Sequence, residues 1–278
     1  MKLAAVIVTY HPNIQEVEKN IATFADDVDL LILRDNSEIP SNFGHLKQLY
    51  PNIILLQDGH NIGLSAAYNQ SIQMAQYHDC THLMTMDQDS TFENFKEYRN
   101  QLEIFNDSAV GIFTCPINHD ISQSGYRDTT VCQSGSVYTL NMLQKIGGFR
   151  EDLFIGMVDA EMSLRAIERG YKIYQMTGCN LIQHIGANRI VKFLGKKIET
   201  SDYSPLRHYY DSRNRILLWY EFPYDTTFKH KALHLWSRLK LIAKIAFFEN
   251  KKIAKTKAIL RGTWYGLRNQ TKPFSRDI

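Results

Sequence analysis

The stretch that decides the fold is Leu83-Met84-Thr85-Met86-Asp87-Gln88-Asp89-Ser90. A short apolar run with strand character ends in two carboxylates one residue apart. Side chains alternate along an extended segment, so Asp87 and Asp89 fall on the same side and can reach one ligand. Like charges that close repel unless a cation lies between them. A hard divalent ion that also holds phosphate oxygens satisfies the arrangement. Asp, Gln and Ser after a strand are also ordinary turn chemistry, so this D-x-D alone leaves a metal site and a plain turn both open.

The chain upstream repeats the same design. Residues 3–10 form a continuous apolar run ending at Thr9-Tyr10-His11-Pro12, and Asn13 with Glu16 predicts a capped helix after it. Leu30-Leu31-Ile32-Leu33 ends in Arg34-Asp35-Asn36-Ser37, and Ile53-Ile54-Leu55-Leu56 runs into Gln57-Asp58-Gly59-His60-Asn61-Ile62-Gly63. A helical pattern then spans about 64–76. Strands alternating with helices predict an α/β fold, a mostly parallel sheet covered on both faces. Ligands bind such sheets beyond the carboxyl ends of their strands. Every strand here ends in polar residues: Thr9 and Tyr10, Asp35 and Asn36, Asn61, then Asp87 and Asp89. Farther on, a helix is expected from Ala160 to Arg169, stopped by Gly170.

Composition sets the outer bounds. The 278 residues are 44% hydrophobic, enough for one large domain or a domain with an appendage. No run of about 18 apolar residues predicts a membrane span, and the N-terminus lacks the pattern of a signal peptide. The four scattered cysteines, Cys80, Cys115, Cys132 and Cys179, fit reduced thiols in a cytoplasmic protein. The net charge of +3 hides an asymmetry: 226–278 holds 13 Lys/Arg against Glu249 and Asp277, over an acidic body.

Together these motifs resemble the family 2 glycosyltransferases, nucleotide-sugar enzymes of the GT-A (Rossmann-like) fold. The matching elements are Val6-Ile7-Val8-Thr9-Tyr10, Asp35-Asn36-Ser37 and Gly59-x-Asn61-x-Gly63-x-x-x-Ala67-x-Asn69. Asp87-Gln88-Asp89 follows, then Asp159 before Glu161 and Arg165, with Gly170-Tyr171 beyond. Within the family, Asp87-Gln88-Asp89-Ser90, His184-Ile185-Gly186 and Arg207-x-Tyr209-Tyr210-x-x-Arg213-Asn214 look most like bacterial rhamnosyltransferases, a match reaching weakly into Gly262-Thr263-Trp264-Tyr265-Gly266-Leu267.

The resemblance implies roles residue by residue. Thr9 and Tyr10 would lie against the nucleotide, and Asp35 would accept a hydrogen bond from a pyrimidine base. Gly59, Asn61 and Gly63 would shape a loop close to the nucleotide. Asp87, nearer the ribose, and Asp89, the direct ligand, would hold Mn²⁺ or Mg²⁺, with His184 as a further ligand. Asp159 would be the general base of an inverting displacement. Val158 stands where the family usually has an acidic residue, which leaves Glu161 as an alternative base, although Glu161 and Arg165 also suit an i, i+4 pair. Arg213 would sit near phosphates or acceptor, against a plain basic face as its other reading.

The implied donor is dTDP-L-rhamnose, with a UDP-hexose or UDP-galactofuranose as the alternative. The implied acceptor is a glycan, lipid-linked in surface polysaccharide assembly. A sugar nucleotidyltransferase would carry a Gly-rich, basic loop after the first strand, which Thr9-Tyr10-His11-Pro12 is not. The expected boundary lies at 225, with a GT-A domain over 1–225 and a helical extension over 226–278. In that extension Ala232, Leu235, Trp236, Leu239, Ile242, Ala243 and Ala246 recur at helical spacing among lysines and arginines. Such a helix suits either the inner face of a membrane or packing on the protein's own body or a second subunit of a homodimer. No nucleic-acid motif accompanies the charge.

Overall fold

The computed structural model describes residues 1–121, 123–183, 189–193, 196–200, 202–223 and 227–275. Two compact units make up the chain: Met1–Glu151 with Val158–Gln183, and Asp152–Met157 with His184–Ile278.

The first unit opens with β1 (Leu3–Thr9), α1 (Ile14–Ile21), β2 (Leu30–Asp35), α2 (Leu46–Leu49), β3 (Ile53–Gln57), α3 (Leu64–Tyr77) and β4 (His82–Asp87). It continues through β5 (Ser90–Glu93), α4 (Phe95–Ile104), β6 (Val110–Thr114), β7 (Gly125–Arg127) and β8 (Val137–Thr139). α5 (Leu140–Ile146), α6 (Val158–Glu168), β9 (Lys172–Gln175) and β10 (Asn180–Gln183) complete it. Eight strands form one sheet in the order β3-β2-β1-β4-β8-β6-β9-β7. The half from β3 to β4 is parallel, while β8 runs antiparallel to both its neighbours. β5 and β10 pair separately as an antiparallel ribbon.

The apolar runs explain the parallel half. β1 and β2 are buried along almost their whole length, as strands covered on both faces must be. Leu3, Ala5 and Ile7 of β1 join Val17 and Ile21 of α1 in one core. Each fully buried Leu, Ile or Val among them contributes about 1.5–3 kcal/mol, so a charge placed at Ile7 would break the sheet at its centre. Asn13 caps α1 as expected, its Oδ1 accepting from the Gln15 N–H at 3.1 Å. Gly63, at φ 84°, turns the chain from β3 into α3, where a side chain would be strained.

The second unit contains β11 (Arg189–Phe193), β12 (Lys196–Thr200), α7 (Pro205–Glu221), α8 (Phe228–Phe248) and α9 (Lys252–Leu267). α7 and α9 approach closely because Gly262 and Gly266 lack side chains: a Cβ on Gly262 would run into the Tyr209 carbonyl, and one on Gly266 would lie 2.9 Å from Ile216 Cβ. This contact joins α7 to the helical unit, which runs from His184 and includes Asp152–Met157. Lys255 is buried in the same unit and donates to Glu249 at 2.8 Å and to Asp202. No helix among the described residues is long and apolar enough to cross a membrane.

Candidate active site

Register brings the strand-end residues into one row. Thr9 at the end of β1 is paired with Asp35 at the end of β2, and Val8 with Asp87 at the end of β4. Thr9, Asp35 and Asp87 therefore share the carboxyl edge of the parallel half.

Asp35 is buried and its carboxylate is committed to its own chain. Oδ1 accepts from the Ser37 N–H at 3.0 Å, the Ser37 hydroxyl at 2.6 Å and the Thr9 hydroxyl at 3.2 Å. Oδ2 accepts from the Ser41 N–H at 2.7 Å. Burial alone would raise its pKa, but the hydrogen bonds from Ser37 and Ser41 outweigh burial and hold it below the usual carboxylate value. Asp35 organises the loop after β2, and Tyr10 faces solvent beside it at 42% exposure. The Tyr10 hydroxyl donates to Glu38 at 3.2 Å, and its N–H donates to the Gln88 side chain at 2.8 Å. Asn61 shapes its loop from within, its Oδ1 accepting from the Gly63 N–H at 3.0 Å. The Gly63 carbonyl in turn accepts from Asn36 at 3.1 Å.

Asp87 is half-buried and braced by residues the sequence did not point to. Its Oδ2 accepts from the Gln183 amide at 2.8 Å and its Oδ1 from the Gln133 amide at 3.3 Å. Its N–H donates to the Ser134 hydroxyl at 3.1 Å, and its carbonyl accepts from Asn20 at 2.6 Å. Asp89 is half-buried in the turn between β4 and β5. Its partner in the motif is thus fixed by two amides, while Asp89 stands in a turn.

Asp159 lies in the first turn of α6, half-buried, and its Oδ1 accepts from the Ala160 N–H at 2.8 Å. α6 is tied to the loop that braces Asp87, since the Ser163 hydroxyl accepts from the Val131 N–H at 3.2 Å. The electrostatics register both carboxylates at once. Burial, then the charges of Asp87 and Asp159, push the Cys132 thiol up to about 11. Burial, and then the same two charges among its neighbours, push the Tyr68 phenol well above its ordinary value. Cys132 and Tyr68 therefore stay neutral beside an anionic centre.

Glu161 is in a different position. It is 0% exposed and meets Arg165 at 2.7 and 3.0 Å, while Arg165 also donates to the Gly148 carbonyl at 2.7 Å. A carboxylate locked this way is no general base, so the alternative to Asp159 is set aside.

Arg213, expected near phosphates or acceptor, belongs to the second unit and is 0% exposed. Its five N–H bonds all find partners. Nε and Nη2 donate to Asn214 Oδ1 at 2.9 and 2.8 Å, and Nη2 also donates to the Asp152 carbonyl. Nη1 donates to the carbonyls of Thr271 at 2.9 Å and Lys272 at 2.6 Å. This is the work of a structural clamp, and it weighs against the expected place of Arg213 near phosphates or acceptor. His184 lies outside the described residues.

The donor chemistry at Asp87 and Asp89 fits a hard cation in part. Among the described residues no three His, Cys, Asp or Glu side chains converge into a complete metal cage. Two carboxylates are nonetheless the oxygen set that Mg²⁺ or Mn²⁺ takes when substrate phosphates complete the shell.

No known family profile matches the chain. Over 240 residues it is 25% identical to the dTDP-rhamnosyl transferase RfbF of Shigella flexneri, covering 77% of this chain and 78% of that protein. Among solved structures it is similar to the mannosyltransferase PcManGT of Pyrobaculum calidifontis in complex with GDP-Man and Mn²⁺ (TM-score 0.59, 12% identity, 96% of this chain and 87% of that one). It is also similar to GalNAc-T7 with UDP, GalNAc and Mn²⁺ (TM-score 0.56, 14% identity, 79% and 48% covered). The fold is that of GT-A glycosyltransferases. Its sequence resembles the rhamnosyltransferases among them.

Proposed function

We propose that this chain is a metal-dependent inverting glycosyltransferase that moves L-rhamnose from a dTDP donor to a glycan acceptor, lipid-linked in surface polysaccharide assembly. One observation carries the reading: Asp87 ends β4 at the carboxyl edge of the parallel half-sheet with Asp89 in the turn after it, and Cys132 and Tyr68 feel the charges of both Asp87 and Asp159. The similarity to a dTDP-rhamnosyl transferase supports the choice of donor.

Asp89 would take the metal directly and Asp87, held by Gln133 and Gln183, would complete the oxygen set near the ribose. Asp87 and Asp89 would hold Mn²⁺ or Mg²⁺, which would supply Lewis-acid neutralisation of the leaving nucleoside diphosphate. Thr9, Tyr10, Asn61 and Gly63 would shape the nucleotide side, where Asp35, held by Ser37 and Ser41, would face the pyrimidine base. Asp159 would accept the proton of the acceptor hydroxyl as that oxygen bonds to the anomeric carbon and the bond from that carbon to the phosphate oxygen breaks. Attack opposite the leaving group inverts the configuration.

The test is transfer from dTDP-rhamnose, UDP-hexose and UDP-galactofuranose, each with Mn²⁺, with Mg²⁺ and with EDTA. Turnover of dTDP-rhamnose, lost in EDTA, is the expected result. Turnover of a UDP-sugar alone would change the donor, and metal-independent transfer would overturn the role of Asp89.

A further inference from the structure

α8 is built inside out. The side turned into its unit carries His234 and Ile245, both buried, and Arg238, which donates to Asp211 at 2.5 Å. The roughly opposite side carries Phe228, Leu235, Trp236, Leu239 and Phe247, all exposed, with Phe228 at 87% and Trp236 at 55%. The apolar stripe foreseen in the sequence thus faces solvent. It continues onto α9: Leu267 lines, with Phe228, Leu235 and Trp219, an open apolar groove of about 300 Å³, and Leu260 and Trp264 are exposed on the same helix.

Charge decides what covers this face. α8 contains no acidic residue, and Lys229, Lys231, Lys240 and Lys244 flank the stripe. Lys240 sits 5.4 Å from the Trp236 ring, and Arg268 lies 4.1 Å from the Trp264 ring. A second copy docked symmetrically would set the same lysine rows against each other, which opposes association. An anionic bilayer answers both features: acyl chains cover the apolar stripe, lipid phosphates meet the lysines, and tryptophans suit the boundary between them.

We propose that the exposed face of α8, continued by the end of α9, docks the protein on an anionic lipid bilayer, lying in the interface plane without spanning it. The face lies entirely in the second unit, so the proposal is independent of the transfer reading.

The test is flotation of the full chain with vesicles of neutral phosphatidylcholine and with vesicles containing phosphatidylglycerol, at low and high salt. Binding is expected to the anionic vesicles alone, weakened by salt, with a blue shift of tryptophan fluorescence. Trp236→Glu with Leu239→Glu should lower binding at least about tenfold, because two charges replace the buried apolar contact. Lys240→Glu with Lys244→Glu should do so at least as strongly, since each surface lysine is worth roughly fivefold. All four positions are exposed or half-buried, and an unchanged Tm confirms that each variant is folded. Failure to bind anionic vesicles, or binding by either double variant as strong as the parent's, overturns the proposal. A dimer in light scattering that Trp236→Glu with Leu239→Glu dissolves, without vesicle binding by the parent, would assign the face to a second copy.

Discussion

Two regions of this molecule hold charged side chains away from bulk water, and they use them in opposite ways. Asp87 and Asp89 at the carboxyl edge of the sheet and Asp159 in the first turn of α6 are half-buried carboxylates; Asp87 accepts from two glutamine amides and Asp159 from a backbone N–H. In the second unit Arg213 is buried with all five donors used, and on α6 Glu161 is locked to Arg165. An ionic group whose hydrogen bonds are all met by its own chain has nothing left for a substrate. A half-buried carboxylate beside the strand ends is placed where a ligand can reach it. The contrast is sharpest on α6, where Asp159 and Glu161 stand two residues apart.

Substitutions should therefore split between rate and stability. Asp159→Asn keeps the shape and cannot accept a proton at neutral pH. Turnover should fall roughly 10²–10⁴-fold with donor affinity unchanged, read as a loss in kcat at constant donor KM. Near-normal turnover would put Asp159 with the framework residues. Arg213→Ala removes a charged donor from three carbonyls and Asn214, and should cost about 3–5 kcal/mol in urea unfolding. Nucleotide affinity of the protein that remains folded should be unchanged, and a selective loss of affinity without loss of stability would return Arg213 to the phosphates. Glu161→Gln should have the smallest effect: about 1–3 kcal/mol of stability, because Arg165 loses its charged partner, and only a few-fold change in rate. A collapse in turnover there would move the base by two residues.

The pattern of the sequence showed some of this and concealed the rest for physical reasons. Continuous apolar runs announced β1, β2 and β4, and their polar ends located Thr9, Asp35 and Asp87, because buried parallel strands leave that signature. The helix expected from Ala160 begins two residues earlier, so Asp159 sits inside its first turn. Gln133 and Gln183 left no trace, since a glutamine far along the chain from its carboxylate has no local pattern. The clamp around Arg213 was hidden because three of its five bonds go to backbone carbonyls, which every residue owns and no sequence displays. The tail's helical period was legible, but a period does not say which side is covered. His234 and Ile245 lie inward, and the apolar stripe lies outward.

The claim that the carboxyl edge holds a metal–nucleotide complex is tested most directly by thermal shift of the parent protein and of Asp89→Ala. The ligands are dTDP, UDP, GDP and their sugar conjugates, each with Mn²⁺, Mg²⁺ or EDTA. A ligand at 100 times its Kd stabilises by about 2.7 kcal/mol, enough to raise the Tm by several degrees. The account predicts a rise with dTDP or dTDP-rhamnose that requires metal and disappears in Asp89→Ala, whose unliganded Tm matches the parent. No shift with any nucleotide, or an equal metal-dependent shift in both proteins, would contradict it.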